Sequence, residues 1–147
     1  MNTIIKRIKL IDEFCKNGKL EPFRELMTKI LDEIQDRGVQ VSIRYDVDFS
    51  NFEDFASDEN KRIRISLKNV KDPLEVIWVL LHEYGHFLSH TRQNNDSPIA
   101  REELAWEKAE EVIKNYSELN EFSISFESCK KRCLNSYYQK YGFPLLP

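Results

Sequence analysis

Apolar residues recur at the spacing of an amphipathic helix in four stretches of the chain. The first predicted helix covers residues 21–36, with Pro22 in its first turn and Gly38 just after its end. The other three predicted helices cover residues 73–90, 98–116 and 126–141.

Two shorter stretches, residues 39–47 and 62–67, alternate apolar and polar side chains, which is typical of strands with one buried face. We expect these strands to pair antiparallel and the acidic residues 48–61 between them to form a loop. Together the elements predict an α+β fold, in which a short antiparallel or mixed sheet packs on a buried central helix.

Length and composition narrow the class of protein. The 147 residues fit a single domain, residues 1–147, and 41% hydrophobic with 32% charged residues is a globular balance. A net charge of -3 argues against a nucleic-acid partner. The sequence shows neither a membrane-spanning apolar run nor a secretory signal, so we expect a cytoplasmic protein without membrane contact.

The chain has three cysteines, Cys15, Cys129 and Cys133, an odd number without the spacing of a disulfide framework. They also lack the spacing of a metal site. We expect three small thiols that are buried or partly buried, in a reducing compartment.

The second predicted helix is apolar on almost all sides, which indicates a buried helix. Asp72 is its expected N-cap, and Pro73 takes the first helical position. Within this apolar stretch stand His82, Glu83 and His86 in the pattern H-E-x-x-H. Because unpaired polar groups in a core are costly, these three residues need partners.

The spacing of the pattern points to a metal ion. His82 and His86 lie about 40° apart on adjacent turns of a helix, so both imidazoles can reach one cation. Glu83 lies about 100° from His82, where a carboxylate can take a proton from a water activated by the metal. Gly85 costs about 1 kcal/mol relative to alanine in mid-helix, which suggests a close packing contact.

A catalytic zinc ion takes three protein ligands and keeps one position open. His90, the remaining histidine, is about 12 Å along the helix from His82 and cannot join it. Carboxylates on the third predicted helix are therefore the candidates. Glu102 lies on the apolar face of that helix and Glu103 on its solvent side, so we predict Glu102 as the third ligand and keep Glu103 as the alternative.

Two questions stay open at this level. The histidines could instead be satisfied by hydrogen bonds in a metal-free helix. If water activated at such a metal site attacks a carbonyl group, a second donor is also needed for the oxyanion that forms, and the sequence does not select one from the tyrosines that could supply it. These are Tyr84, Tyr116, Tyr137 and Tyr138.

Residues 62–114 resemble the H-E-x-x-H metallopeptidases of the ImmA/IrrE kind and their phage-borne relatives. "RIRISLKN" is similar to the strand before the motif, "LLHEYGHFLSH" to the motif helix, and "EELAW" to the family's E-x-x-A pattern, with Glu102 and Ala105 in register. The chain departs from the family at Lys108 and Ala109, where an aromatic-alanine pair is frequent.

The resemblance implies a small zincin-like domain of the gluzincin type, with H-E-x-x-H and a glutamate as ligands. It also implies a zinc-dependent endopeptidase, with Zn²⁺ on His82, His86 and Glu102 and with Glu83 as the general base. The implied partner is a protein substrate, of which a repressor-like regulator is one example. The alternative is a non-catalytic zinc-binding regulatory protein that keeps the same fold.

Overall fold

The computed structural model describes residues 3–54, 61–89 and 97–147, and over these ranges the fold is α+β. Two 3-10 turns, Glu21–Phe23 and Ser117–Phe122, accompany the helices. The helices are α1 (Thr3–Asn17), α2 (Arg24–Asp36), α3 (Pro73–Ser89), α4 (Pro98–Ile113) and α5 (Ser123–Tyr141), and the strands are β1 (Val39–Arg44), β2 (Asn51–Asp54) and β3 (Lys61–Ser66).

The sheet is mixed, with the strand order β1-β3-β2. β1 pairs with β3 in parallel, with Val39 opposite Lys61, so the antiparallel pairing predicted for these strands was wrong. The reason is β2, which forms inside the stretch predicted to be a loop and pairs antiparallel with β3. The chain thus reverses once before β2 and again before β3, which leaves β3 pointing in the direction of β1.

Helix α1 was missed by the sequence pattern. Its buried residues are Ile11, Phe14 and Cys15, a short stripe at helical spacing near its C-terminal end. Farther toward the N-terminus, Ile4 and Ile8 are exposed among basic residues, and this interrupts the amphipathic signal. The helix predicted from residue 21 instead begins with the 3-10 turn and becomes α-helical at Arg24.

The helix starts that frame the candidate site follow their capping signals. The Leu74 amide donates to the Asp72 side chain at 3.0 Å, as expected of an N-cap before Pro73. The Ala100 amide donates in the same way to the Ser97 side chain at 3.0 Å. These caps satisfy amides that have no partner within the helix, and so fix where α3 and α4 begin.

The chain divides into two compact units, residues 1–80 and 81–147, with the boundary inside α3. The first unit contains the sheet, α1, α2 and the start of α3. The second contains the rest of α3 with α4 and α5, and it includes every residue of the candidate site. The single domain expected over residues 1–147 stays a prediction.

Candidate metal centre

Three polar side chains lie in the buried part of the second unit. His82 is 7% exposed, Glu83 6% and Glu102 8%. The surrounding helices explain this burial, because α3 is apolar around the motif and Ala105, Trp106 and Ala109 form the buried face of α4 on which Glu102 also lies. The burial of Glu102 is the one the helical pattern predicted.

The close approach expected at Gly85 is present. A Cβ built on Gly85 would lie 2.1 Å from the Ala105 carbonyl oxygen and 3.0 Å from its carbon, well inside van der Waals contact. The backbones of α3 and α4 therefore meet at this position without a side chain between them. This contact sets Glu102, one turn before Ala105, beside the histidines of α3.

We expect Gly85→Ala to destabilise the protein by about 1–3 kcal/mol, as overpacking does in a well-packed core. This range already subtracts the gain in helix propensity, which is about 1 kcal/mol. The clash outweighs that gain because the added methyl group would meet backbone atoms of Ala105, which cannot move aside as a flexible side chain could. Urea unfolding followed by circular dichroism measures the change. An unfolding midpoint equal to that of the wild type would show that α3 and α4 can separate at no cost.

The carboxylate of Glu102 lies between the two histidines. His82 Nε2 is 3.1 Å from Glu102 Oε1, and His86 Nε2 is 2.6 Å from Glu102 Oε2. The ligand atoms of the three residues all lie within 4.8 Å of one another. This group could hold a metal ion.

The donor set fits a small tetrahedral cation. Ligand atoms about 2.0–2.1 Å from a tetrahedral ion are about 3.4 Å apart. The imidazole nitrogens lie 3.1 Å and 2.6 Å from the Glu102 oxygens, which is somewhat closer than that. Both histidines present Nε2, so their other ring nitrogens point away from the centre. Small side-chain rotations would therefore be enough to bring all three donors onto one ion.

An aromatic ring holds His82 in place. The indole of Trp106 stacks on the imidazole with ring centroids 4.3 Å apart and an angle of 23° between the planes. Trp106 is 1% exposed, and its indole also packs edge-to-face against the ring of Phe126 on α5, with ring centroids 5.8 Å apart. The stack restricts rotation of the His82 ring, which favours a preformed binding geometry.

The electrostatics of the three donors are coupled. Burial raises the pKa of the Glu102 carboxyl, but hydrogen bonds from His82 and His86 outweigh it and hold the pKa at about 2. Burial lowers the pKa of His86, and the hydrogen bond and charge of Glu102 raise it above its ordinary value. Glu102 is thus kept ionised, as a metal ligand must be.

Glu83 has the opposite character. Burial is the largest influence and raises the pKa of its carboxyl, with the charge of Glu102 adding to the effect and the two histidines opposing it. A carboxylate that recovers a proton easily is suited to act as a general base. Glu83 is absent from the group of converging ligand atoms, so α3 separates it from the ligands while keeping it next to His82.

Glu103 is placed away from the centre. Its side chain is exposed, and it accepts a hydrogen bond from the Tyr138 hydroxyl at 2.6 Å. The hydrogen bond from Tyr138 on α5 holds the Glu103 carboxylate on the outer side of α4. The geometry therefore favours Glu102 over Glu103 as the third donor.

Helix α5 contributes residues that the sequence pattern did not select. Burial, together with the charges of Glu102 and Glu83, raises the pKa of the half-buried Tyr137 to about 12. The pKa of the Cys133 thiol, one turn earlier, is lowered chiefly by a hydrogen bond with Cys129, while burial and the charges of Glu102 and Glu83 oppose the shift. The only sequence signal for these two residues was their spacing of four. This spacing shows that Cys133 and Tyr137 share one face of a helix, but it does not show that this face lies against the candidate centre.

The remaining candidates have other places. Tyr138 is engaged by Glu103, whereas Tyr84 and Tyr116 are buried. His90 and most of the loop between α3 and α4 lie outside the described residues. None of the three cysteines forms a disulfide bond, and Cys15 and Cys129 are buried and Cys133 partly so, as the sequence indicated.

Comparisons with known proteins add no family. No protein-family model, curated protein or solved structure matches this chain. In the described ranges, no helix has the length and apolar character needed to cross a membrane. The functional argument therefore depends on the geometry of the candidate centre.

Proposed function

We propose that this protein is a zinc-dependent endopeptidase that hydrolyses peptide bonds of a protein substrate. The observation that carries the proposal is the pairing of two different kinds of carboxylate on one buried centre. Glu102 is ionised and lies between two imidazoles, while Glu83 is next to them with a raised pKa. A ligand set and a general base are the two components that metal-assisted hydrolysis needs.

His82, His86 and Glu102 would hold the ion. Two imidazole nitrogens and one carboxylate oxygen suit zinc, although the same donors also suit Fe²⁺. Zinc bound by three protein ligands supplies a Lewis acid that polarises a carbonyl and acidifies water. The resemblance of residues 62–114 to ImmA/IrrE metallopeptidases, and the zincin-like fold that it implies, are part of this proposal.

Glu83 would perform the proton transfers. Its carboxylate accepts a proton from the attacking water and gives it to the amine that leaves when the peptide bond breaks. The buried position removes competing solvent from around the carboxylate, and the raised pKa makes uptake of the proton from the attacking water more favourable. Each turnover thus restores Glu83 to its starting state.

Tyr137 is the tyrosine that the geometry favours as the second donor. After burial, the charges of Glu102 and Glu83 are the main influences that raise the pKa of its hydroxyl, so this hydroxyl lies near both carboxylates of the centre. A raised pKa keeps its hydroxyl protonated, and a protonated hydroxyl can donate to the oxyanion that forms during hydrolysis.

We expect Tyr137→Phe to lower kcat by roughly 10²-fold, the usual cost of losing one oxyanion donor, with metal content unchanged. Steady-state cleavage of a fluorogenic peptide and elemental analysis of the same preparation measure both quantities. Tyr138→Phe is the matched control, since Tyr138 contacts Glu103 instead. Equal kcat values for the two variants would remove Tyr137 from the mechanism.

The test of the proposed function is metal-dependent cleavage. Purified protein should contain one zinc per chain by elemental analysis, which also detects iron. It should cleave members of a quenched-fluorescent peptide library, lose this activity with a chelator and regain it with added zinc. A repressor-like regulator is the protein substrate to test next. A cytoplasmic location is also part of the proposal.

A non-catalytic metal-binding regulatory protein is the second candidate. The Trp106 stack on His82 and the buried ligands would suit a structural metal as well. The two functions differ in one respect, because a structural site has no use for a buried general base beside it. Stoichiometric metal without cleavage of any library peptide would favour this second function.

A further inference from the structure

The first unit contains a groove that the proposed hydrolysis does not use. It has a volume of about 710 Å³ and lies between one face of α1 and the backbone of β1. Thr3, Lys6, Leu10 and Glu13, spaced three and four residues apart, form the helical wall, and residues 38–43 form the strand wall. Six residues of extended chain are about 20 Å long, so the groove can accommodate a peptide of similar length.

β1 is an edge strand, because the sheet order places only β3 beside it within the described residues. The Arg44 carbonyl accepts from the Leu67 amide at 2.9 Å, so the backbone groups of Arg44 face β3. Backbone groups alternate along a strand, and those of Val39, Val41 and Ile43 therefore point to the free edge. These three residues can pair with an added strand.

The charge of the helical wall selects the partner. Lys6 and Lys9 are exposed, and among the residues that the structure describes neither has an acidic partner. Arg7 is already paired with Asp32 and Asp36. Glu13 accepts a hydrogen bond from the Tyr45 hydroxyl. Two free lysines thus remain beside the edge of a chain whose net charge is -3.

We propose that this groove binds an extended acidic segment of a partner protein, which adds to the free edge of β1 as a fourth strand. Main-chain hydrogen bonds to Val39, Val41 and Ile43 give the affinity, and Lys6 and Lys9 select acidic side chains. A second copy of the chain fits less well, because pairing two β1 edges would bring both sets of lysines together. The proposal holds whether or not the metal centre is catalytic.

The first test is binding of a fluorescein-labelled ten-residue peptide in which glutamate and valine alternate. Fluorescence anisotropy with the full chain should show saturable binding, and the same peptide N-methylated at alternate amides should not bind. Lys6→Glu with Lys9→Glu should weaken binding at least about tenfold, since two attractive contacts become repulsive. Lys16→Glu with Lys131→Glu makes the same change in net charge at exposed residues outside the groove, and should leave the affinity within about twofold.

Hydrogen exchange by NMR locates the peptide. Saturating peptide should slow exchange of the Val39, Val41 and Ile43 amides, whereas Gln40 and Ser42, which face β3, should change little. No saturable binding up to about 1 mM peptide would overturn the proposal, as would protection elsewhere or equal weakening by both lysine pairs. A second copy of the chain would instead occupy the edge if two results were found together. Sedimentation would show a dimer that the peptide does not dissociate, and the amides of Val39, Val41 and Ile43 would be protected before peptide is added.

Discussion

Replacing Glu83 with glutamine is expected to abolish detectable peptide cleavage while the protein keeps its metal. The amide has nearly the same shape as the carboxylate but cannot accept the proton from the attacking water. General acid–base groups contribute about 10²–10⁴-fold to a rate, so we expect a loss of about 10³-fold in kcat. Stopped assays with the best library peptide and elemental analysis of the same sample measure activity and metal together.

Glu103→Gln is the matched control. It makes the same substitution at an exposed glutamate of α4 whose carboxylate is hydrogen bonded to Tyr138. It should leave kcat within about twofold, the range of an ordinary surface substitution. Full activity in Glu83→Gln, on any peptide that the wild type cleaves, would eliminate Glu83 as the base. Loss of both metal and activity would instead place Glu83 among the ligands.

Replacing Glu102 with alanine is expected to remove the metal. Glu102 is the donor that contacts both imidazoles, at 3.1 Å and 2.6 Å, and it is held ionised by them. Loss of an outer partner of a ligand costs about 10–100-fold in metal affinity, and loss of a ligand itself should exceed the upper figure. Chelator competition measures the affinity, and thermal unfolding with and without zinc provides a second measure because zinc should no longer raise the Tm.

The adjacent Glu103→Ala variant distinguishes the two glutamates. It should retain zinc with wild-type affinity, because Glu103 points away from the histidines and pairs with Tyr138. Zinc loss in Glu103→Ala together with zinc retention in Glu102→Ala would reverse the choice of ligand. Retention in both variants would mean that the cluster of His82, His86 and Glu102 is not the metal site.

Much of the helical framework follows from local signals. Asp72 caps α3 where the sequence places it, and Ser97 caps α4 just before the predicted start at residue 98, since a side-chain oxygen next to the first amides of a helix needs no distant partner. The sheet was harder, because strand direction depends on every reversal of the chain. Residues 51–54 read as an acidic loop yet form β2, and this strand makes β1 and β3 parallel.

The features of the candidate centre also divide into those that local sequence signals predict and those that depend on tertiary packing. Helical periodicity alone sets His82 and His86 on one face, leaves Glu83 beside them, and turns Glu102 toward the interior of its own helix. These are properties of one helix at a time. They hold in the structure because both helices are long, well capped and strongly patterned, so local preference and burial agree.

Relations between helices required the tertiary structure. The meeting of α3 and α4 at Gly85, the stacking of Trp106 on His82 and the influence of the Glu102 charge on the pKa of Tyr137 each involve residues that are distant in sequence. Periodicity shows which way a side chain faces but not what it meets. The sequence by itself set His82, Glu83 and His86 together on one helix and turned Glu102 toward the interior, and packing decided which carboxylate lies between the histidines.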